Sequence, residues 1–69
     1  MAAEPRTGKI NTIFDADTAD LIEDGTGTVR DFYQKGAQVS FQPGDSVNYM
    51  LVTFPNGKPP IVIEVKRPS

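Results

Sequence analysis

Four clusters of turn-forming residues divide this chain into short segments. Pro43-Gly44-Asp45 is a strong turn signal, and the Asn-Gly pair of Pro55-Asn56-Gly57-Lys58 suits the type I′ turn of a β-hairpin. An Asp-rich segment over residues 15–18 and the run Asp24-Gly25-Thr26-Gly27 mark two further reversals. Short segments between regularly spaced turns are typical of a small β-barrel or β-sandwich.

The segments between these turns have the apolar content of strands. Alternation is clearest over residues 46–54, where Val47, Tyr49 and Leu51 occupy every second position. Four further runs are strand-like but alternate less regularly: residues 8–14, 19–23, 28–34 and 61–66. A helix over residues 15–22 is conceivable, but Thr18 and the flanking aspartates disfavour it. We therefore predict an all-β chain of five antiparallel strands.

The length of 69 residues makes one small domain, in which folding buries about 60% of the surface of the unfolded chain. Residues 1–7 contain Pro5 and small or charged residues without periodicity, so we expect a flexible lead-in there. The domain itself is expected over residues 8–67, and residues 68–69 are expected to form a tail.

The chain contains no cysteine and no histidine. This excludes disulfides, thiolate metal sites and nucleophile–imidazole pairs. Asp15, Asp17 and Asp20 offer the oxygen ligands of a calcium site, but their spacing lacks the glycine turn of the helix-flanked calcium loop, so a solvated hairpin tip is expected instead. The sequence predicts a non-enzymatic protein without cofactor, metal or small-molecule substrate.

No segment has the features of membrane insertion or export. No apolar run approaches the roughly 18 to 20 residues that cross a bilayer, and residues 1–7 lack the basic start and apolar middle of a signal peptide. Together with the absence of cysteine, these features favour a cytoplasmic location without membrane contact.

Negative charge is concentrated in the first half of the chain. Six of the nine acidic residues lie between positions 15 and 31, and the net charge is −2. A negative field of this kind slows the approach of phosphate groups. This half of the chain is therefore expected to disfavour nucleic acid.

Four segments match the motifs of one known family in order, with about one extra residue before the last motif and a shorter segment between the third and fourth strands. Gly8-Lys9-Ile10-Asn11 is similar to an opening Gly-x-Val-Lys, and residues 17–22 fall without a gap at its Lys-Gly-Phe-Gly-Phe-Ile. Residues 43–49 resemble its Glu-Gly-x-x-Val-x-Phe strand, and residues 60–65 its Gly-Pro-x-Ala-x-Asn-Val segment. Over roughly residues 8–67 the chain thus resembles the cold-shock domain. The resemblance implies a five-stranded, OB-fold-like barrel that binds single-stranded RNA or DNA in the manner of an RNA chaperone.

The residues that would contact nucleic acid depart from this family. Its binding surface carries a Trp and a Phe in the first strand and two Phe in the second, whose faces stack on bases. Thr12 and Ile13 stand at the first-strand positions, and Ala19 and Leu21 stand at the second-strand positions. Because four stacking positions are lost, we expect any such binding to be weak.

The third strand admits two registers. In one, Phe32 lies on the binding face with Arg30 beside it. In the other, Phe32 enters the core while Asp31 and Tyr33 face outward. Burying Phe32 costs less free energy than burying Asp31, so the second register is favoured.

The resemblance yields six candidate residues for contact with nucleic acid. In either register one aromatic side chain, Phe32 or Tyr33, stays exposed on the third strand. The ring of Phe41 in the following loop is a further candidate for stacking on a base. The basic residues either form a reduced patch around that aromatic or are ordinary solvated charges. The candidates are Lys9, Arg30, Phe32, Tyr33, Lys35 and Phe41.

The last hairpin predicts a competing surface. If Val47, Tyr49 and Leu51 point into the barrel, the alternate positions point outward and form an apolar stripe with the partner strand. Such a stripe suggests an interface with a protein partner or with a second copy in a homodimer. The alternatives are a local slip in register or shielding by the stems of neighbouring lysines. The stripe consists of Met50, Val52, Phe54 and Val62.

Two functions therefore stand as hypotheses. The resemblance implies weak binding of single-stranded RNA or DNA. The alternative is a barrel that has lost nucleic-acid binding and instead contacts a protein, or itself, through the last hairpin.

Overall fold

Residues 2–68 are described by a computed structural model, in which five strands and one helical turn follow each other along the chain. The elements are β1 (Ala2–Ile13), β2 (Thr18–Glu23), β3 (Val29–Tyr33), α1 (Ala37–Ser40), β4 (Ser46–Thr53) and β5 (Ile61–Lys66). All paired strands are antiparallel and form one sheet in the order β3-β2-β1-β4-β5. The sheet curls into a half-barrel, which confirms the predicted all-β, OB-fold-like architecture.

The first strand is longer than the sequence predicts. Residues 2–9 pair with β4, so the expected flexible lead-in is strand from Ala2 onward, and Met1 lies outside the described residues. Pro5 does not prevent this pairing, because β2 begins to pair with β1 only at Gly8 and a strand paired on one side leaves alternate N–H groups free. At the other end, Pro68 follows β5 outside any strand, and Ser69 is not described.

Two irregularities bend the sheet. Between Ile10 and Thr12, β1 has one more residue than the stretch of β2 it faces, and the Thr12 N–H donates to Asp20 Oδ1 at 2.8 Å. In β5, Glu64 and Val65 together occupy the space opposite a single β4 residue, and Glu64 has a φ of 54°. Extra residues of this kind increase local twist, so they curl the sheet around its inner face.

The inner face of the sheet carries the hydrophobic core. Val47, Tyr49 and Leu51 point inward and are at most 3% exposed, as their alternation predicts. Phe32 lies opposite Ala19 on the same face and is buried, which confirms the favoured register of the third strand. The remaining members of the core cluster are Ile10, Leu21, Ala37, Phe41, Val62 and Val65.

One helical turn, which was not predicted from the sequence, lies between β3 and β4. Ala37 in α1 is buried, and its carbonyl accepts a hydrogen bond from the Phe41 N–H at 3.0 Å. The Gln38 N–H donates to Ala16 O at 3.1 Å, which holds the turn against the loop between β1 and β2. This turn directs the Phe41 side chain into the core.

Gly8 lies where β1 begins to pair on both sides. A Cβ atom at this position would be 2.6 Å from the carbonyl oxygen of Ile22. That separation is far below van der Waals contact, so the close approach of β2 requires a glycine here.

Candidate functional site

Two of the six residues predicted to contact nucleic acid are buried in the core. Phe32 and Phe41 are 5% and 4% exposed, so neither ring has a face free for a base. Phe32 is directed inward by its position opposite Ala19, and Phe41 by the helical turn before it. Their assignment as stacking residues is corrected here, because burying a large ring is strongly favourable in so small a core.

Arg30 also lies on the inner face, opposite Leu21. Its Nε donates to Glu23 Oε1 at 3.1 Å, and its side chain is 19% exposed. Lys9 lies opposite Ile22 on the outer face. Arg30 therefore does not share a surface with Lys9, and a basic patch that includes both, one of the two alternatives, is not formed.

Glu23 is the centre of a buried polar network. Its carboxylate is 3% exposed and accepts hydrogen bonds from Thr26 Oγ1 (2.8 Å), Tyr49 Oη (2.9 Å), Arg30 Nε (3.1 Å) and Arg6 Nη1 (3.3 Å). The Thr26 and Tyr49 hydroxyls hold the pKa of Glu23 below its usual value against the effect of burial, and Arg30 contributes further. Burial, and then the hydrogen bond to Glu23, raise the pKa of Tyr49 to about 12. The network satisfies its own groups, so we assign it a structural role.

Two exposed aromatic rings lie near one end of the outer face. Tyr33 is 68% exposed, as the favoured register predicts, and Phe14, directly after β1, is 57% exposed. They line a shallow hollow of about 370 Å³, together with Thr18, Ala19, Asp31 and Phe32. Phe14 is not among the residues predicted from the sequence to contact nucleic acid. The available signal was its position at a hairpin tip, where a ring has few neighbours that can bury it.

The centre of this outer face is acidic. Asp31 lies directly opposite Asp20 across β2 and β3, so both carboxylates belong to the same side of the sheet. Asp20 is buried and accepts the Thr12 N–H, whereas Asp31 is exposed. Lys35, two residues beyond Tyr33, is also exposed. A phosphate group would therefore meet negative charge beside the aromatic rings.

The Asp-rich turn before β2 uses its carboxylates internally. Asp15 Oδ1 accepts the N–H groups of Asp17 and Thr18 at 2.9 Å each, and Asp17 Oδ1 accepts the Gly36 N–H at 2.9 Å. The hydrogen bond from the Asp17 N–H makes the largest contribution to holding the pKa of Asp15 below its usual value, and the hydroxyl and N–H of Thr18 contribute less. Within residues 2–68, no three His, Cys, Asp or Glu side chains are grouped to hold a metal ion. Over the same range, no helix has the length and apolar character needed to span a membrane.

The register of the last hairpin changes the predicted apolar stripe. Val62 lies opposite Leu51, so it points inward and belongs to the core cluster. Its assignment to the outer stripe is corrected, because a one-residue change in register moves a side chain to the other face. The outward residues of β5 are Ile61 and Ile63, which are 47% and 39% exposed.

The outward residues of the two last strands are apolar and lie opposite one another. Met50 is half-buried and lies opposite Ile63, and Val52 lies opposite Ile61. Val52 is 5% exposed but is not part of the core cluster. These four residues are named the β4/β5 patch. Phe54, which follows β4, is half-buried and lies beyond the paired positions.

A groove of about 360 Å³ adjoins the β4/β5 patch through Met50. The pairing of Pro5 with Met50 and of Thr7 with Asn48 places these side chains on the same face of the sheet. The groove therefore continues the apolar surface into a mixed polar one. Its lining consists of Pro5, Arg6, Thr7, Asn48, Tyr49, Met50, Glu64 and Lys66.

The comparisons with known proteins leave the family of this chain open. Neither the protein-family models, nor the curated proteins, nor the solved structures contain a match to it.

Proposed function

We propose that this domain is a non-enzymatic protein-binding module that contacts its partner through the β4/β5 patch. The observation that carries the proposal is the exposure of Ile61 and Ile63, at 47% and 39%, directly opposite Val52 and Met50. A contiguous apolar surface on a small domain is typical of an interaction site, because it lowers the free energy of the complex when it is removed from water.

Charges at the two ends of the patch favour a partner that carries acidic groups. Lys58 lies in the turn between β4 and β5, and Lys66 lies opposite Asn48 near the other end of β5. Both lysines are exposed. β5 is an edge strand of the sheet, and Gln34 occupies this edge at Val65, so an extended segment can add to β5 alongside Ile61 and Ile63. The proposed partner segment is extended, apolar at alternate positions and acidic at its ends.

Two expectations from the sequence have less support and stay predictions. Weak nucleic-acid binding now rests on Lys9, Tyr33 and Lys35, which are exposed, while the outer face of β2 and β3 also carries Asp20 and Asp31. Titration with a pyrimidine-rich single strand at low salt tests it, since such binding weakens steeply as salt is added. The cytoplasmic location expected from the lack of cysteine is a proposal of the same kind.

Peptide selection tests the proposed patch. Peptides of about nine residues are selected from a displayed random library, and their affinities are measured by fluorescence anisotropy. The test variant is Ile61→Thr with Ile63→Thr, and the matched control is Val29→Thr, which changes another exposed β-branched residue on β3. We expect apolar, acid-flanked peptides that bind the control like the wild type and bind the test variant about tenfold more weakly. Equal affinity for all three proteins would contradict the proposal.

Self-association is a separate outcome of the same variants. Sedimentation of the wild type and of the Ile61→Thr/Ile63→Thr variant is compared at increasing protein concentration. A dimer that dissociates in the variant would assign the patch to a second copy instead of a different protein.

A further inference from the structure

We propose that the hollow between Phe14 and Tyr33 binds a cationic side chain, either lysine or arginine, presented by an extended segment of a partner protein. The hollow lies against β2 and β3, whereas the β4/β5 patch lies on strands at the opposite edge of the sheet. The inference goes beyond the proposed function and does not rest on it.

Phe14 and Tyr33 both neighbour Thr18, the first residue of β2. The Phe14 N–H donates to Thr18 O at 2.9 Å, and Thr18 lies opposite Tyr33. Both rings remain more than half exposed, so their faces are available to a ligand. A volume of about 370 Å³ is near the lower end of the range for ligand pockets. The space suits one long side chain better than a large ligand.

An unpaired carboxylate completes the lining of the hollow. Asp31 is exposed there, and Asp20 lies directly opposite it on the neighbouring strand. The ion pairs of residues 2–68 involve other carboxylates, those of Glu4, Glu23 and Asp45. Asp31 therefore has no ion-pair partner among the described residues.

Aromatic faces and a carboxylate attract the same kind of ligand. The π-system of Phe14 or Tyr33 carries partial negative charge on its face, which attracts Lys and Arg cations. The charges of Asp31 and Asp20 add to this attraction and oppose the approach of phosphate. The combination favours a basic peptide over a nucleic acid.

Titration with a defined basic peptide tests the site. The probe is acetyl-Val-Arg-Val-Arg-Val-amide, with the citrulline version as a neutral analogue and a thymidine octanucleotide as the anionic arm. Amide shifts of residues 14, 18 and 31–33 report on binding at low ionic strength. Asp31→Asn and Tyr33→Ala are the test variants, and Glu64→Gln is the matched control, since it removes one exposed negative charge from β5.

The arginine peptide is expected to shift these amides in the wild type, and the citrulline peptide is not. The dissociation constant of the arginine peptide should rise about threefold to tenfold in each test variant and less than about twofold in the control. The Ile61→Thr/Ile63→Thr variant should bind it normally, so failure of one proposal leaves the other intact.

Three results would overturn the inference. The first is no response to the arginine peptide at submillimolar concentration. The second is equal weakening in Asp31→Asn and Glu64→Gln, which would indicate attraction by net charge alone. The third is that the thymidine octanucleotide shifts the same amides and binds Asp31→Asn more tightly than the wild type. This result would assign the rings to nucleic acid.

Discussion

The side chain of Gln34 binds the backbone of Val65 through two hydrogen bonds. Its Nε2 donates to Val65 O at 2.7 Å, and its Oε1 accepts the Val65 N–H at 2.8 Å. Gln34 directly follows β3 and Val65 lies in β5, the two edge strands, which share no backbone ladder within residues 2–68. Because a side-chain amide offers the same donor and acceptor as a peptide group, Gln34 takes the place of a paired strand residue and joins the edges of the half-barrel.

Replacing Gln34 with glutamate tests this closure. An ionised carboxylate cannot donate to Val65 O, so we expect Gln34→Glu to lower the free energy of unfolding at pH 7 by about 1 to 3 kcal/mol. The difference from the wild type should narrow below about pH 4, where a protonated carboxyl regains a donor. Urea denaturation at both pH values measures this. Gln38→Glu, on the exposed side of α1, is the control and should change stability by less than about 0.5 kcal/mol. Equal losses in the two variants would rule out the closure.

Glu23 should dominate the loss of stability in acid. Its pKa is lower in the folded than in the unfolded state, so its contribution is complete above the ordinary value of about 4.3 and is lost as the pH falls through the folded value. Glu23→Gln should cost about 3 kcal/mol at pH 7, because it leaves the largely buried Arg30 beside a neutral group, whereas Arg6 keeps its ion pair with Glu4. It should also flatten the acid branch of the pH profile of urea unfolding. A profile parallel to those of the wild type and the Glu64→Gln control would contradict the role of Glu23.

Tyr49 should govern stability in alkali. Its pKa is raised to about 12 in the folded protein, compared with about 10 for a free tyrosine. Its contribution is therefore complete below about pH 10 and is lost as the pH rises toward 12. Tyr49→Phe should cost about 1 to 3 kcal/mol at pH 7, because it removes a hydrogen bond to a carboxylate, and should weaken the decline between pH 10 and 12. Urea denaturation across this range checks both effects, and Tyr33→Phe, at an exposed ring, should behave like the wild type.

Glycine should be tolerated at position 64 better than the native residue. Among residues 2–68, Glu64 is the one non-glycine residue with a positive φ, at 54°. A left-handed conformation costs an L-residue about 1 to 2 kcal/mol and costs glycine little, so Glu64→Gly should raise the free energy of unfolding by up to about 1 kcal/mol after the entropic cost of glycine. Lys66→Gly in the same strand is the control and should be destabilising by about 0.5 to 1 kcal/mol. Thermal unfolding measures both variants. If Glu64→Gly is destabilised like Lys66→Gly, position 64 is not strained.

Most of the local structure could be predicted from residue patterns. Three of the four predicted turns lie wholly between strands, and the turn predicted over residues 15–18 ends at the first residue of β2. The alternation of Val47, Tyr49 and Leu51 identified the inner face of β4. Both signals act over a few residues: turn residues select backbone angles, and alternation reflects the pleat of a strand. The pairing of residues 2–9 could not be predicted in this way, because ladder bonds to β4 need no apolar side chains.

The sequence predicted less well which side chains lie on the surface, because contacts between distant residues decide this. Phe41 enters the core because a helical turn redirects it, and Val62 does so because of the register of the last hairpin. Arg30 is drawn to a carboxylate seven positions earlier in the chain, on the neighbouring strand. Phe14 stays exposed because it lies at a hairpin tip with few neighbours.

Most of the turns and strands thus follow from the order of residues along the chain, since each depends on neighbours a few positions apart. Which side chains reach the surface follows from the assembled sheet, because the register of distant strands chooses the face on which each residue lies. The closing contact of Gln34 with Val65 joins residues 31 positions apart. Contacts over such separations depend on the curvature of the whole sheet, so they cannot be predicted from local sequence patterns.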